Sequence, residues 1–271
     1  MMVTLLRLFR LPLSLLNALM AIGGALLVPG RHSMTMLLWL AGGIAALAAG
    51  ASALNQASEH RFDRLMERTS QRPIPVGMMS PATATRLSIL PLLAGCVALY
   101  AGGGLLATAA GGLGVLWYLL IYTPLKRRTP LALLAGGICG ALPPLIGWYS
   151  AGGVWPDHRI MIYCGIIYLW QIPHFWLLQQ RHADDYRTAG FPTLQLASGD
   201  RSFKLLLLIW IFSLGIATML LPTLQIIPPP LAPLAFCFLL PLLPLMLISN
   251  EKPLFSYLNL LPLLITVLFI N

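Results

Sequence analysis

The chain returns repeatedly to apolar runs of about twenty residues, the length a helix needs to cross a hydrocarbon core. From Leu11 to Leu54 the only side chain charged at neutral pH is Arg31. Lipid cannot hydrogen-bond a backbone, so a spanning segment must satisfy its own N–H and C=O groups, as a helix or in a closed barrel. Barrel strands are about ten residues long and alternate in polarity; these runs do neither. The expected fold is all-α: a polytopic membrane bundle. Composition agrees, with only 9% of the 271 residues charged, against about 25% in soluble domains.

Nine apolar segments can be marked: Leu11–Pro29, Met34–Leu54, Leu87–Gly103, Leu105–Tyr122, Leu131–Ser150, Ile160–Leu178, Phe203–Leu221, Leu231–Ile248 and Leu254–Ile270. The third and fourth are divided at Gly102-Gly103-Gly104, because one straight helix over both would be twice as long as a bilayer is thick. The first run, preceded by Arg7 and Arg10 and lacking a small-residue cleavage site, reads as a span and not as a signal peptide. Nine alternating crossings put 15 of the 17 Lys and Arg residues on one side, leaving Arg31 and Arg159 opposite. The positive-inside rule makes the rich side cytoplasmic, with the N-terminus inside and the C-terminus outside, and the expected location is the cell (inner) membrane. The net charge of +9 is used in this sorting and gives no reason to expect a nucleic-acid partner. Cys96, Cys139, Cys164 and Cys237 all lie in apolar runs, far apart in sequence, and are expected as small core residues. Pro143, Pro144 and Pro173 are expected to break or kink the fifth and sixth spans.

The acids follow the arginines. Seven of the eight are on the rich side, concentrated in loops at about 55–86 and 179–203. In the first loop Asn55, Glu59, Asp63 and Glu67 recur every four residues, as do Arg64, Arg68 and Arg72; on one helix these make two stripes. The bland reading is a solvated helix with i,i+4 ion pairs. Against it, Asn55 and Glu59 abut an apolar run, where polar groups are costly and usually functional. Oxygen ligands beside guanidinium groups, at the mouth of an apolar bundle, suit a magnesium-bound diphosphate with an apolar tail.

Asn55-x-x-x-Glu59-x-x-x-Asp63, followed by Met66-x-Arg68-Thr69-x-x-Arg72-Pro73, resembles the first acidic motif of the UbiA superfamily of membrane prenyltransferases, in the form found in its haem-farnesylating branch. The blocks Tyr122–Pro130, Gly140–Trp148, Leu169–Trp176 and Asp184–Pro192 resemble that branch too, in the same order. Two departures stand out: Glu59 occupies a position that is commonly Asp, and Asp184 and Asp185 are adjacent where many members space their second acids four apart. The resemblance implies a single integral membrane prenyltransferase domain over residues 1–271. It implies magnesium as cofactor, held by Asn55, Glu59 and Asp63 from one motif and Asp184 and Asp185 from the other. Arg68, Arg72, Tyr122 and Lys126 would hold the diphosphate, with Arg127 and Arg128 left as topology anchors. The implied substrates are farnesyl diphosphate and haem B, the implied product is haem O, and haem–copper oxidase assembly proteins are implied as partners. His174, beside Pro173, would face the porphyrin; the bland alternatives are a hydrogen-bonded core histidine within an aromatic interfacial belt. Two other functions stay open on sequence: a sister enzyme with an aromatic, quinone-precursor acceptor, and a non-catalytic transporter or assembly scaffold.

Overall fold

A computed structural model describes residues 2–242 and 252–269, and among these residues it is helical without a strand. Helix α1 (Met2–Leu8) meets α2 (Leu11–Leu26) at a 52° bend. The hinge residue is Arg10, whose φ of 46° is left-handed. Helix α3 (Met34–Asp63) is followed by the single turn α4 (Glu67–Ser70). Helix α5 (Pro81–Leu116) leads through a π-helical stretch, Trp117–Tyr122, into α6 (Thr123–Leu125). Then come α7 (Ala132–Ser150), α8 (His158–Arg181), α9 (Ala183–Thr188) and α10 (Leu194–Thr223). Helices α11 (Ala232–Leu239) and α12 (Lys252–Val267) complete the described chain.

By length and apolarity five helices can cross a membrane, or six if the bent α1–α2 pair is one crossing. The expected nine crossings are therefore not reached by this measure. One reason is that Pro81–Leu125 counts once, as a stretch of 45 residues, although the chain reverses within it. Gly104 takes φ 70° and ψ −163°, values open to glycine but not to a helix. A Cβ on Gly111 would lie 2.7 Å from Leu99, whereas twelve residues of straight helix would separate them by about 18 Å. The chain thus folds back at the expected glycine triplet. The other reason lies at the C-terminal end, where Pro229–Leu239 and α12 are short. The expected segment Leu231–Ile248 runs partly outside the described residues, as do Glu251 and Asn271.

Prolines 143, 144 and 173 do not break their helices; α7 and α8 run through them. Neighbouring helices in a bundle can accommodate the freed carbonyls, so the chain need not break. Small residues let backbones touch. A Cβ on Gly24 would fall 1.9 Å from the Pro144 carbonyl oxygen, and one on Gly147 would fall 1.8 Å from that of Ala21. Helices α2 and α7 therefore cross in direct backbone contact near their far ends, away from the acidic loops. Trp170 and Trp176 are buried in the core and do not form an interfacial belt. The Trp170 indole donates to the Leu258 carbonyl at 2.6 Å, tying α8 to α12. Cys96, Cys139 and Cys164 are half-buried and Cys237 is exposed, so the cysteines are less enclosed than their apolar settings suggest; all four are free.

Candidate active site

The acidic stretch does not form one long helix. Asn55, Glu59 and Asp63 do share a face of α3, each 3–4% exposed, but α3 ends at Asp63 and Glu67 begins α4. The reason is tertiary. Asp185, from α9, accepts hydrogen bonds from the backbone N–H groups of Glu67 (2.8 Å) and Arg68 (3.1 Å). A carboxylate from a distant loop thus caps a new helical turn, and it joins the two acidic loops. Beneath them Met66, Ala189 and Phe191 form a small apolar cluster.

On the α3 face every charge is paired. Asp63 receives both its hydrogen bonds from Arg72, at 2.8 Å each. Glu59 is bound by the Lys126 ammonium, by the Asn55 amide at 3.0 Å and by Arg127 at 3.3 Å. Arg127 is therefore part of the site and more than a topology anchor; its guanidinium also lies 4.7 Å over the Phe62 ring. Unpaired, a carboxylate buried this deeply would cost several kcal/mol. Burial pulls the Lys126 ammonium below its ordinary range, and the charge and hydrogen bond of Glu59 oppose that shift. Burial pushes the Tyr186 phenol up, against the pull of Arg68.

The π-helical stretch forms the facing wall. Pro124 has no N–H to offer the Leu120 carbonyl, and its ring crowds that turn. Thr123 instead donates its backbone N–H and, at 2.8 Å, its hydroxyl to the Tyr118 carbonyl five residues back. The widened turn stacks Tyr118 on Tyr122, with centroids 5.8 Å apart, and lets Asn55 donate to the Thr123 hydroxyl at 3.2 Å. Such π turns recur at functional sites.

These groups ring one end of a cavity of about 360 Å³. Its lining holds four cations, Arg10, Arg68, Arg72 and Lys126, against two carboxylates, Glu59 and Asp63. The surplus of positive charge suits a polyanion. Away from that end the wall becomes apolar, through Leu47, Ile146, Leu142 and Phe175, and His174 and Gln171 stand in it. His174 is packed between Trp170 and Phe255, with both centroids 5.2 Å away, and its buried Nδ1 has no hydrogen-bond partner.

Of the residues singled out on sequence, Asn55, Glu59, Asp63, Arg68, Arg72, Tyr122, Lys126 and His174 all line this cavity. The adjacent acids divide. Asp185 stands behind the wall on the α4 amides, while the Asp184 side chain is 98% exposed beside Arg187, and neither lines the cavity. Adjacent residues on a helix point about 100° apart, so both could not face inward. Among the described residues no three carboxylates, histidines or cysteines converge to form a metal site on their own. The donors that do face the cavity from α3 are oxygen atoms, the type magnesium takes. Arg10, Tyr118, Gln171 and Tyr186 also line the cavity and were not predicted. Arg10 read as a flanking charge of the first span, and no periodicity marks the others.

A membrane bundle whose apolar cavity ends in paired carboxylates and surplus cations is built to take an anionic group with an apolar tail. The sequence signature of the UbiA prenyltransferase family matches residues 16–261, and the chain belongs to that family. It is 48% identical over 255 residues to a protoheme IX farnesyltransferase of Geobacter sulfurreducens, covering 94% of each chain. It is 34% identical to the protoheme IX farnesyltransferase of Oleidesulfovibrio alaskensis, over 85% of this chain and 81% of the relative. Two solved structures share the fold. A UbiA homologue from Aeropyrum pernix K1 superposes with a TM-score of 0.74 at 19% identity, covering 96% of this chain and 98% of its own. One from Archaeoglobus fulgidus, bound to GPP and Mg2+, does so at 0.73 and 16% identity, covering 98% of each chain.

Proposed function

We propose that this protein transfers the farnesyl group of farnesyl diphosphate to a vinyl group of haem B, giving haem O. Two lines support the reading: the relatives named protoheme IX farnesyltransferase, and one cavity that joins a cationic end to an apolar wall bearing an unpartnered histidine. The second is the observation that carries it. Arg10, Arg68, Arg72 and Lys126 hold the diphosphate. Asn55, Glu59 and Asp63, with Asp185 from the second acidic loop, would hold magnesium, which takes oxygen donors and seldom has an all-protein cage. Asp184, exposed on the rim, takes no part. Magnesium, when bound, supplies Lewis-acid stabilisation of the leaving diphosphate.

The cations then stabilise the charge that develops as the allylic carbon–oxygen bond breaks. The stacked Tyr118 and Tyr122 rings present π faces to the allylic cation, and the apolar wall keeps water from it. The vinyl carbon attacks, and water adds to the cation left on the haem side chain. His174 positions the porphyrin and offers its nitrogen to the iron. The polar end faces the cytoplasm of a cell whose inner membrane holds the bundle in nine crossings, N-terminus inside and C-terminus outside, as charge sorting indicates. Haem–copper oxidase assembly proteins are the proposed recipients of the product.

Purified protein offered farnesyl diphosphate and magnesium, with haem B or with a hydroxybenzoate, tests this by mass spectrometry. Farnesylated haem is the expected product. Prenylation of the hydroxybenzoate with none of the haem would overturn the assignment.

A further inference from the structure

No hydrogen bond orients His174. Its Nδ1 is buried without a partner, so that nitrogen meets neither solvent nor a bound molecule. Nε2 also makes no hydrogen bond among the described residues, but it is not sealed off in the same way. Since the residue lines the cavity, Nε2 is the ring nitrogen that a molecule there can reach.

Stacking orients the ring instead. Its centroid lies 5.2 Å from the Trp170 ring at an interplanar angle of 25°, and 5.2 Å from the Phe255 ring at 16°. Stacking engages the flat face of an imidazole and leaves its edge free. A metal is bound at that edge, through a lone pair in the ring plane. The two stacking rings are themselves tied together. Trp170 stands one turn before His174 on α8, and its indole donates to the Leu258 carbonyl at 2.6 Å. Leu258 follows Phe255 by three residues on α12, so this bond holds the turn that carries Phe255 against α8. The Arg181 guanidinium, about two turns beyond His174, lies 5.5 Å over the Phe255 ring and adds a cation–π contact. Phe255 does not line the cavity, so any effect it has there passes through the histidine.

We propose that Phe255 is a positioning residue that holds the His174 imidazole edge-on to the porphyrin iron by stacking. The inference rests on the haem-farnesylating reading given above. A ligating histidine ordinarily donates its other N–H to a carboxylate or a carbonyl, which fixes the ring and also makes it a stronger ligand. Stacking on Phe255 and Trp170 supplies the first effect without the second. The iron is then held by a ligand of ordinary strength, which suits a haem that enters as substrate and leaves as product.

The test is the spectrum and affinity of ferric haem B added to the full chain in detergent. The wild-type complex should show the absorption and EPR signature of a histidine-bound iron. Phe255→Leu keeps an apolar contact and removes the flat ring. It should weaken haem binding about fivefold, the worth of one aromatic pair, broaden the EPR signal and leave farnesyl diphosphate affinity unchanged. Phe255→Tyr, which keeps the ring, should restore both readouts. In His174→Gly, free imidazole should take the space left against the two rings and restore the histidine-bound spectrum. A wild-type spectrum and affinity in Phe255→Leu, or loss of haem and farnesyl diphosphate binding together, would overturn the proposal. Failure of imidazole to restore the spectrum in His174→Gly would do the same, and that arm needs no change at Phe255. Haem bound to the wild-type protein without the histidine signature would remove the iron contact and this role with it. Absence of farnesylated haem from turnover, with the signature present, would remove the reaction and leave the stacking role standing.

Discussion

At the scale of single residues, the cationic end of the cavity is held by charge pairs that substrate must rearrange. Asp63 is nearly enclosed and is matched only by Arg72 in its hydrogen bonds. Arg72→Ala strands that carboxylate, at a cost of about 3 kcal/mol, and should lower the melting temperature in detergent; adding Asp63→Asn should recover most of the loss. A double variant no more stable than Arg72→Ala alone would show that the pair is not the cause. Both variants, like Asp63→Ala, should lose turnover by on the order of 100-fold while remaining in the membrane. His174 makes a different prediction, because it lines the cavity and its buried Nδ1 has no hydrogen-bond partner. His174→Ala should weaken haem affinity about tenfold, the worth of one lost ligand contact, and leave farnesyl diphosphate binding intact. An unchanged haem absorption spectrum and affinity would reject the contact.

At the scale of helices, two contacts hold the bundle in the shape the cavity needs. Asp185 caps α4 through two backbone N–H groups, so Asp185→Ala should release that turn at a cost of about 1 kcal/mol. Faster tryptic cleavage after Arg64 and Arg68 reads this out, and an unchanged cleavage rate would mean that α4 holds without its cap. The crossing of α2 and α7 leaves no space for a side chain. Gly147→Val would place a methyl-bearing carbon against the Ala21 carbonyl, and the helices would have to separate. The expected loss is about 3 kcal/mol, seen as a lower melting temperature and a partly aggregated elution profile; Gly112→Ala, where a Cβ meets nothing within 4 Å, is the matched control.

At the scale of the whole molecule, the far end is closed by helix crossing and the opposite end carries the polar loops. Chelation of divalent cations should abolish turnover and leave the haem absorption change in place, with activity restored by added magnesium. Persistent turnover in chelator would remove the metal from the proposal. Orientation follows from the charge asymmetry. With the four native cysteines replaced, Arg31→Cys should react with an impermeant maleimide in intact cells and Arg187→Cys only after lysis. The reverse pattern would invert the bundle.

The sequence alone determined the solvent, the helical class and a division of the long apolar run at Gly102-Gly103-Gly104, because apolar run length and backbone satisfaction admit few solutions in lipid. It also identified most of the cavity's polar residues, since Asn55, Glu59 and Asp63 recur at the helical period on one uninterrupted helix. It could not reveal that α3 ends at Asp63, because the cap that begins the next turn comes from Asp185, more than a hundred residues away. Nor could it separate Asp184 from Asp185, whose difference lies only in which way each points. Arg10, Arg127 and Gln171 look like ordinary flanking or helical residues until the bundle closes. Only tertiary packing decides which side chains share a cavity, because the distances that matter there run between helices and leave no period along the chain.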